Sequence, residues 1–190
     1  MTHYTGGAKR VEGLTEKRAK VVLTYLRGLG NHRNSLMWAL GITTGLRISD
    51  LLSLRLADFL TPDSELAGSI TIKEQKTGQG RTIILAPVAI EALQTYRESI
   101  SDGELLFAIT REQARRLIKQ WCDDCGLRGN YGTHTMRKTF ATVAYDNSGG
   151  DPVLTARVTG HSNPSQLMAY IGRKPASEEK VWAAVGATFS

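Results

Sequence analysis

Helix signals dominate the pattern of apolar and polar positions, and one short stretch switches to a two-residue alternation. Thr15 is placed to cap a helix from about Glu16 to Leu29, stopped by Gly28 and Gly30. A second apolar run from Asn34 to Thr44 ends at Gly45, a residue suited to the left-handed terminating position. Ile48 to Leu56, with Leu51, Leu52, Leu54 and Leu56, reads as a third, buried helix. The period then changes. Ser69-Ile-Thr-Ile-Lys73 alternates, as does part of Arg81-Thr-Ile-Ile-Leu85, and Lys76-Thr-Gly-Gln-Gly80 supplies turn residues between them, which predicts a β-hairpin.

Helices resume at Pro87, a good first helical residue, and run to Ser99. Thr110 with Gln113 forms a capping-box pattern that opens a helix to about Cys122. A further helix follows Gly132 and ends near Gly149 and Gly150. Asp151-Pro152 and Asn163-Pro164 are cap-plus-proline starts, stopped by Gly160 and Gly172. Ser177 begins a last helix carrying Val181, Trp182, Val185 and Phe189. With no internal repeat and no low-complexity linker, the expected fold is mainly α with a small antiparallel β-sheet insert, an α+β domain.

Composition narrows the class. The 190 residues are 41% hydrophobic and 22% charged, close to the globular average, and suffice for one domain with its own core. No run of ~18 apolar residues is present, and the N-terminal ten residues lack a secretory signal's apolar core. Two cysteines without such a signal imply a reducing, cytoplasmic setting. The net charge of +6 is unevenly spread: residues 1–33 hold seven basic and two acidic side chains, residues 111–138 seven and three, and residues 34–110 six and nine. Two basic blocks on a balanced chain suggest a polyanionic partner such as nucleic acid, although a merely basic surface also fits.

Polar residues in five places strain a core-only explanation. Arg47 follows a glycine-marked helix break, and Asp50, three residues on, shares its helical face; the pair fits either a helix-start ion pair or an anion site. Lys76 lies at the hairpin tip, where a lysine is usually a solvated charge. His134 and Arg137 stand at i and i+3 of a helix start, where backbone N–H groups also favour an anion. His161 follows a helix-stopping glycine, and Tyr170 lies on the short helix opened by Asn163-Pro164.

Together these residues resemble the tyrosine recombinase (phage integrase) family. The matching text is Thr44-Gly-Leu-Arg47-Ile-Ser-Asp50-Leu, the Lys76-Thr-Gly hairpin, His134-Thr-Met-Arg137, Gly160-His161-Ser and Tyr170, covering about residues 14–172. The resemblance implies the family's catalytic-domain fold and DNA strand cutting and rejoining through a 3′-phosphotyrosyl intermediate. By that likeness Arg47 and Arg137 clamp the phosphate, Tyr170 attacks it, and Lys76 acts as general acid. His134 assists as base or phosphate contact, His161 hydrogen-bonds the scissile phosphate, and Asp50 braces the arginine. No metal or other cofactor is implied. The implied partner is double-stranded DNA, bound by a homotetramer that is monomeric when free, with accessory DNA-bending proteins possible in such systems and no membrane involved.

Some features depart from the family. Lys138 stands where many relatives have a second histidine; it can contact phosphate, but serving as a neutral base requires a large pKa shift. Thr159 precedes Gly160-His161 where an aliphatic residue is usual, a difference read as one of packing. The expected organisation is a flexible tail over residues 1–13 and the catalytic domain over 14–190, its last helix starting near 177. The usual N-terminal core-binding domain is not expected, which fits either an excised catalytic domain or a compact single-domain member such as the fimbrial inversion recombinases. Arg111, Arg115, Arg116 and Lys119 recur at helical spacing and either line a DNA backbone or form a solvated face. Cys122 and Cys125 are too few to close a zinc site and read as packing. The last helix docks on its own domain or on a neighbouring protomer. The other function classes are a DNA-binding regulator that retains the fold without turnover, and a swivelase that relaxes supercoils by the same chemistry.

Overall fold

The computed structural model describes residues 10–73, 78, 80–173 and 178–188. Nine α-helices and one two-stranded sheet follow one another in these segments. Helix α1 (Glu16–Gly28) is capped by Thr15, whose hydroxyl accepts from the Arg18 N–H. Asn31 caps α2 (His32–Thr44), which therefore starts two residues before its apolar run. This helix is buried on nearly all sides, from Asn34 to Gly41, and packs against α1 and two later helices, α4 (Pro87–Arg97) and α6 (Thr133–Asn147). Trp38 on α2 donates its indole N–H to Ala19 O at 3.0 Å, and its ring meets the edge of Trp121 at 6.1 Å between centroids. Gly41 lets α6 approach: a Cβ there would lie 2.3 Å from the Met136 sulfur.

The third helix is shorter than its apolar run predicts. Helix α3 (Ile48–Leu52) stops because the chain leaves it to pair with a distant segment: Leu54 O accepts from Leu106 N, and Arg55 forms a bridge with Leu105. Leu56–Phe59 is instead a 3-10 turn, capped by Asp58 accepting from the Arg55 N–H. The hairpin forms as expected. Strands β1 (Ser69–Lys73) and β2 (Gly80–Ile84) pair antiparallel, with Ser69 opposite Ile84 and Lys73 opposite Gly80, and bury Ile70, Ile72 and Ile83. Lys76 and most of its turn, residues 74–77 and 79, lie outside the described residues.

Helix α5 (Arg111–Asp124) begins with the expected Thr110–Gln113 capping box, formed in both directions. Asp151 caps α7 (Pro152–Thr159) and Asn163 caps α8 (Pro164–Ile171), each with proline first and a left-handed glycine last, Gly160 and Gly172. The last helix, α9 (Glu178–Thr188), leaves Trp182 73% exposed. The expected start at Ser177 and the end at Phe189 lie outside the described residues.

Two hydrophobic clusters result. The larger runs from Leu14 to Met136 and takes in α1 to α5, the sheet and the first turn of α6. The smaller consists of Ala141, Ala156, Leu167, Met168 and Ile171, with Tyr145 and Tyr170 packed against it. Cys122 is fully buried in the larger cluster, with Cys125 packed beside it; both are free thiols, and burial pushes Cys122 up to about 12. Of the expected tail, residues 10–13 are docked: Glu12 N donates to Asn130 O at 2.9 Å, and Val11 O accepts from Lys138. The following Leu14 N donates to Thr139 Oγ1 at 2.8 Å. Among the described residues no helix is long and apolar enough to cross a membrane.

Candidate active site

Arg137 organises the site. It lies one turn into α6 and is 5% exposed, so its charge needs partners within the fold. Nη1 donates to Gly45 O at 2.5 Å and Nη2 to Thr159 O at 2.7 Å. One guanidinium therefore ties the turn before α3 to the end of α7, using the fork geometry that a lysine lacks. Gly45 needs its left-handed conformation (φ 63°) and its missing side chain, because a Cβ there would lie 2.2 Å from Phe140 Cδ1.

Arg47 follows that turn as the backbone N-cap of α3, half-buried, without a side-chain hydrogen bond to the helix start. Asp50, in the first turn of that helix, is buried. Arg81 on β2 donates Nη2 to Thr44 O at 3.0 Å, anchoring the hairpin to the turn that presents Arg47. Lys76, expected at that hairpin's tip, lies outside the described residues.

From the other side come His161 and Tyr170. The left-handed Gly160 turns the chain so that His161 N donates to Ala156 O, while the ring's Nδ1 lies 2.6 Å from Thr159 Oγ1. The Tyr170 ring sits 5.0 Å from the His161 ring and 6.4 Å from the His134 ring, and its hydroxyl donates to His134 O at 3.4 Å. Burial pushes the Tyr170 phenol up to about 12, outweighing the opposite pull of Arg137, Arg10 and Arg47. The hydroxyl is therefore protonated at neutral pH, so any reaction through its oxygen requires loss of that proton. His134 is exposed; crowding by its neighbours and the charges of Arg111 and Arg137 hold its imidazole below the usual histidine value. It is neutral at pH 7 and can accept a proton.

Lys138 turns towards the same tyrosine, its ammonium 5.9 Å from the ring centroid and 3.2 Å from Val11 O. Burial and the charge of Arg10 lower its pKa, partly offset by Glu12. Of the basic stripe on α5, only Arg111 acts on the site, through its charge on His134. Arg115 and Arg116 pair with Glu112, and Lys119 with Asp123, on an exposed face. Such pairs suit a solvated surface and add little stability.

Three contributors escaped the sequence reading. Thr159 is not a packing residue only, since its carbonyl holds Arg137 and its hydroxyl meets His161. Arg10 donates to Ala169 O at 2.5 Å, beside the tyrosine, and Arg81 docks the hairpin. No motif marks either arginine, because each partner is far away in sequence. A signal for Thr159 did exist in its threonine hydroxyl two residues before a histidine. Among the described residues no group of three or more His, Cys, Asp or Glu could hold a metal ion.

A model of the phage integrase family matches residues 12–176. The probable integrase/recombinase YoeC of Bacillus subtilis (strain 168) is 34% identical over 149 residues, which are 75% of this chain and 78% of the relative. Tyrosine recombinase XerC of Caldanaerobacter subterraneus subsp. tengcongensis is 26% identical over 189 residues, covering 87% of this chain and 52% of the relative. The crystal structure of XerH site-specific recombinase bound to difH substrate, a pre-cleavage complex, superposes with a TM-score of 0.71 at 22% identity. That match covers 94% of this chain and 55% of XerH, and at this identity it speaks for the fold.

Proposed function

The chain belongs to the phage integrase family, and from that premise we propose that it is a site-specific DNA recombinase or integrase working through a 3′-phosphotyrosyl intermediate. The observation that carries this is the meeting of Tyr170, His161 and His134 around the Arg137 fork, 5.0 and 6.4 Å between rings. A phosphodiester approached by two arginines loses its charge repulsion towards a nucleophile. Tyr170 Oη then bonds to phosphorus as the bond to the 5′ oxygen breaks, and the phosphotyrosine keeps the bond energy for rejoining.

In this reading Arg47 and Arg137 hold the non-bridging oxygens and Asp50 supports the Arg47 turn. His161 contacts the scissile phosphate. His134, neutral at pH 7 and with its ring 6.4 Å from that of Tyr170, receives the tyrosine's proton directly or through a water. Lys76 protonates the departing 5′ oxygen. Lys138 is a phosphate contact beside the tyrosine rather than a base, and Arg111 extends the basic surface at the mouth of the site. Double-stranded DNA is the partner, bound by four copies; the exposed Trp182 and Val185 of α9 suit contact between protomers.

The test is covalent trapping. Incubating the protein with nicked suicide duplexes of randomised core sequence is expected to give a denaturation-resistant protein–DNA adduct that Tyr170→Phe abolishes. DNA binding without any adduct would replace the enzyme reading with that of a DNA-binding regulator. Relaxed supercoils without recombinant products would indicate a swivelase.

A further inference from the structure

The end of α7 holds a set of short contacts that the family motifs do not explain. Thr159 is wholly buried, and its Oγ1 lies 2.7 Å from Thr155 O, 3.3 Å from Ala156 O and 2.6 Å from His161 Nδ1. Carbonyl oxygens only accept, and a hydroxyl has one proton to give. Donated to Thr155 O, that proton leaves the Oγ1 lone pairs facing His161, so the 2.6 Å contact requires a proton on Nδ1. Donated to Nδ1 instead, it leaves two oxygens opposed at 2.7 Å with nothing between them. The arrangement satisfying both short contacts is Nδ1–H donating to Thr159, which in turn donates to Thr155.

We propose that Thr159 is a positioning residue that fixes His161 in its Nδ1–H form, so that His161 donates to the scissile phosphate only as an imidazolium. This deepens the strand-transfer reading and rests on it. A neutral ring in that form carries no proton on Nε2, and an unprotonated Nε2 repels a phosphate oxygen; a proton taken from solvent turns Nε2 into a charged donor. The charged and titratable groups around the His161–Tyr170 ring pair come from every neighbouring element. Among the described residues they are Tyr170 on α8; His134, Arg137 and Lys138 on α6; Arg47 before α3; and Arg10 and Glu12 in the N-terminal segment. Against the carboxylate of Glu12 stand four cations, Arg10, Arg47, Arg137 and Lys138. They oppose a further charge on His161 until a phosphate arrives to balance them, so phosphate binding and proton uptake are coupled.

The test begins with ¹⁵N NMR of histidine-labelled protein near pH ~7.5, His161 being assigned with His161→Gln. The expected spectrum has a protonated Nδ1 and a bare Nε2; Thr159→Ser keeps it and Thr159→Val loses it. Cleavage of the nicked duplex is then compared from about pH 5.5 to about pH 8.5. Thr159→Val is expected to be roughly tenfold slower at the acid end, where the orienting bond to a charged ring is lost. The two rates converge at the alkaline end, where the freed ring can donate from a neutral Nε2–H. A protonated Nε2 in the neutral wild-type ring, or a wild-type to Thr159→Val ratio constant across pH, would overturn the proposal. The wild-type spectrum and Thr159→Ser decide even where Thr159→Val does not fold. An adduct that survives Tyr170→Phe would sink the strand-transfer reading separately, leaving the ring's proton readable by NMR.

Discussion

The larger hydrophobic cluster is built around α2 and carries Arg47 and Asp50 on a short helix braced by Leu46, Ile48 and Leu51. The smaller is five buried side chains between α6, α7 and α8, and it carries His161 and Tyr170. The groups assigned to grip the phosphate thus stand partly on a deep core, and the proposed nucleophile stands on a shallow one. Apolar burial sets how far each part resists local opening, so α7 and α8 are expected to open more readily than the helices of the larger cluster. Arg137 joins the two, donating to Gly45 on one side and Thr159 on the other. The lesson is that a divided site can keep its nucleophile adjustable while one buried guanidinium holds its register.

The widest effect separates the two cores. Leu36→Ala in the large cluster is expected to cost about 3–5 kcal/mol, and Leu167→Ala in the small one about 2–3 kcal/mol, because a shallow site relaxes around the cavity. Urea denaturation followed by tryptophan fluorescence reads the first through Trp38 and Trp121; hydrogen exchange of the α7 and α8 amides reads the second. Equal costs, with exchange rising everywhere in Leu167→Ala, would show one cooperative body rather than two. Next comes the joint. Arg137→Lys cannot serve both carbonyls and is expected to cost about 1–3 kcal/mol. It should speed exchange in α7 and α8 first and lower adduct formation by about a hundredfold or more. Unchanged exchange there would remove Arg137 from its linking role. Gly45→Ala strains the same joint from the other side, at about 1–2 kcal/mol from the left-handed backbone and the Phe140 contact.

The smallest effect is electrostatic. His134 has a folded-state pKa below its unfolded one, so the folded state binds fewer protons. Its contribution to stability is present above the ordinary value of about 6.5 and is lost as pH falls below it. Wild type should therefore lose slightly more stability than His134→Gln on acidification through that range. A difference of opposite sign, measured by urea midpoints at each pH, would contradict the assigned environment.

What was legible in the sequence follows the reach of each interaction. Helix starts at Thr15, Thr110, Asp151 and Asn163 and stops at Gly45, Gly160 and Gly172 are set by bonds within a turn, and local residue types announce them. The candidate residues Arg47, His134, Arg137, His161 and Tyr170 stood out for another reason, since the chemistry proposed for them restricts residue type. The early end of α3 was hidden because the carbonyl of Leu54 is claimed by Leu106, some fifty residues away. Arg10 escaped for the same cause, its partner Ala169 lying 159 residues on. Thr159 was read as packing because its hydroxyl two residues before His161 was weighed as side-chain volume, while in the fold it meets two carbonyls and the His161 ring.

The central claim is that the nucleophile is the tyrosine on the shallow core. Digesting the trapped adduct and sequencing the nucleotide-bearing peptide by tandem mass spectrometry tests it most directly. The account predicts a 3′-linked nucleotide on Tyr170 alone. A nucleotide on any of the other tyrosines, or on a serine, would contradict it.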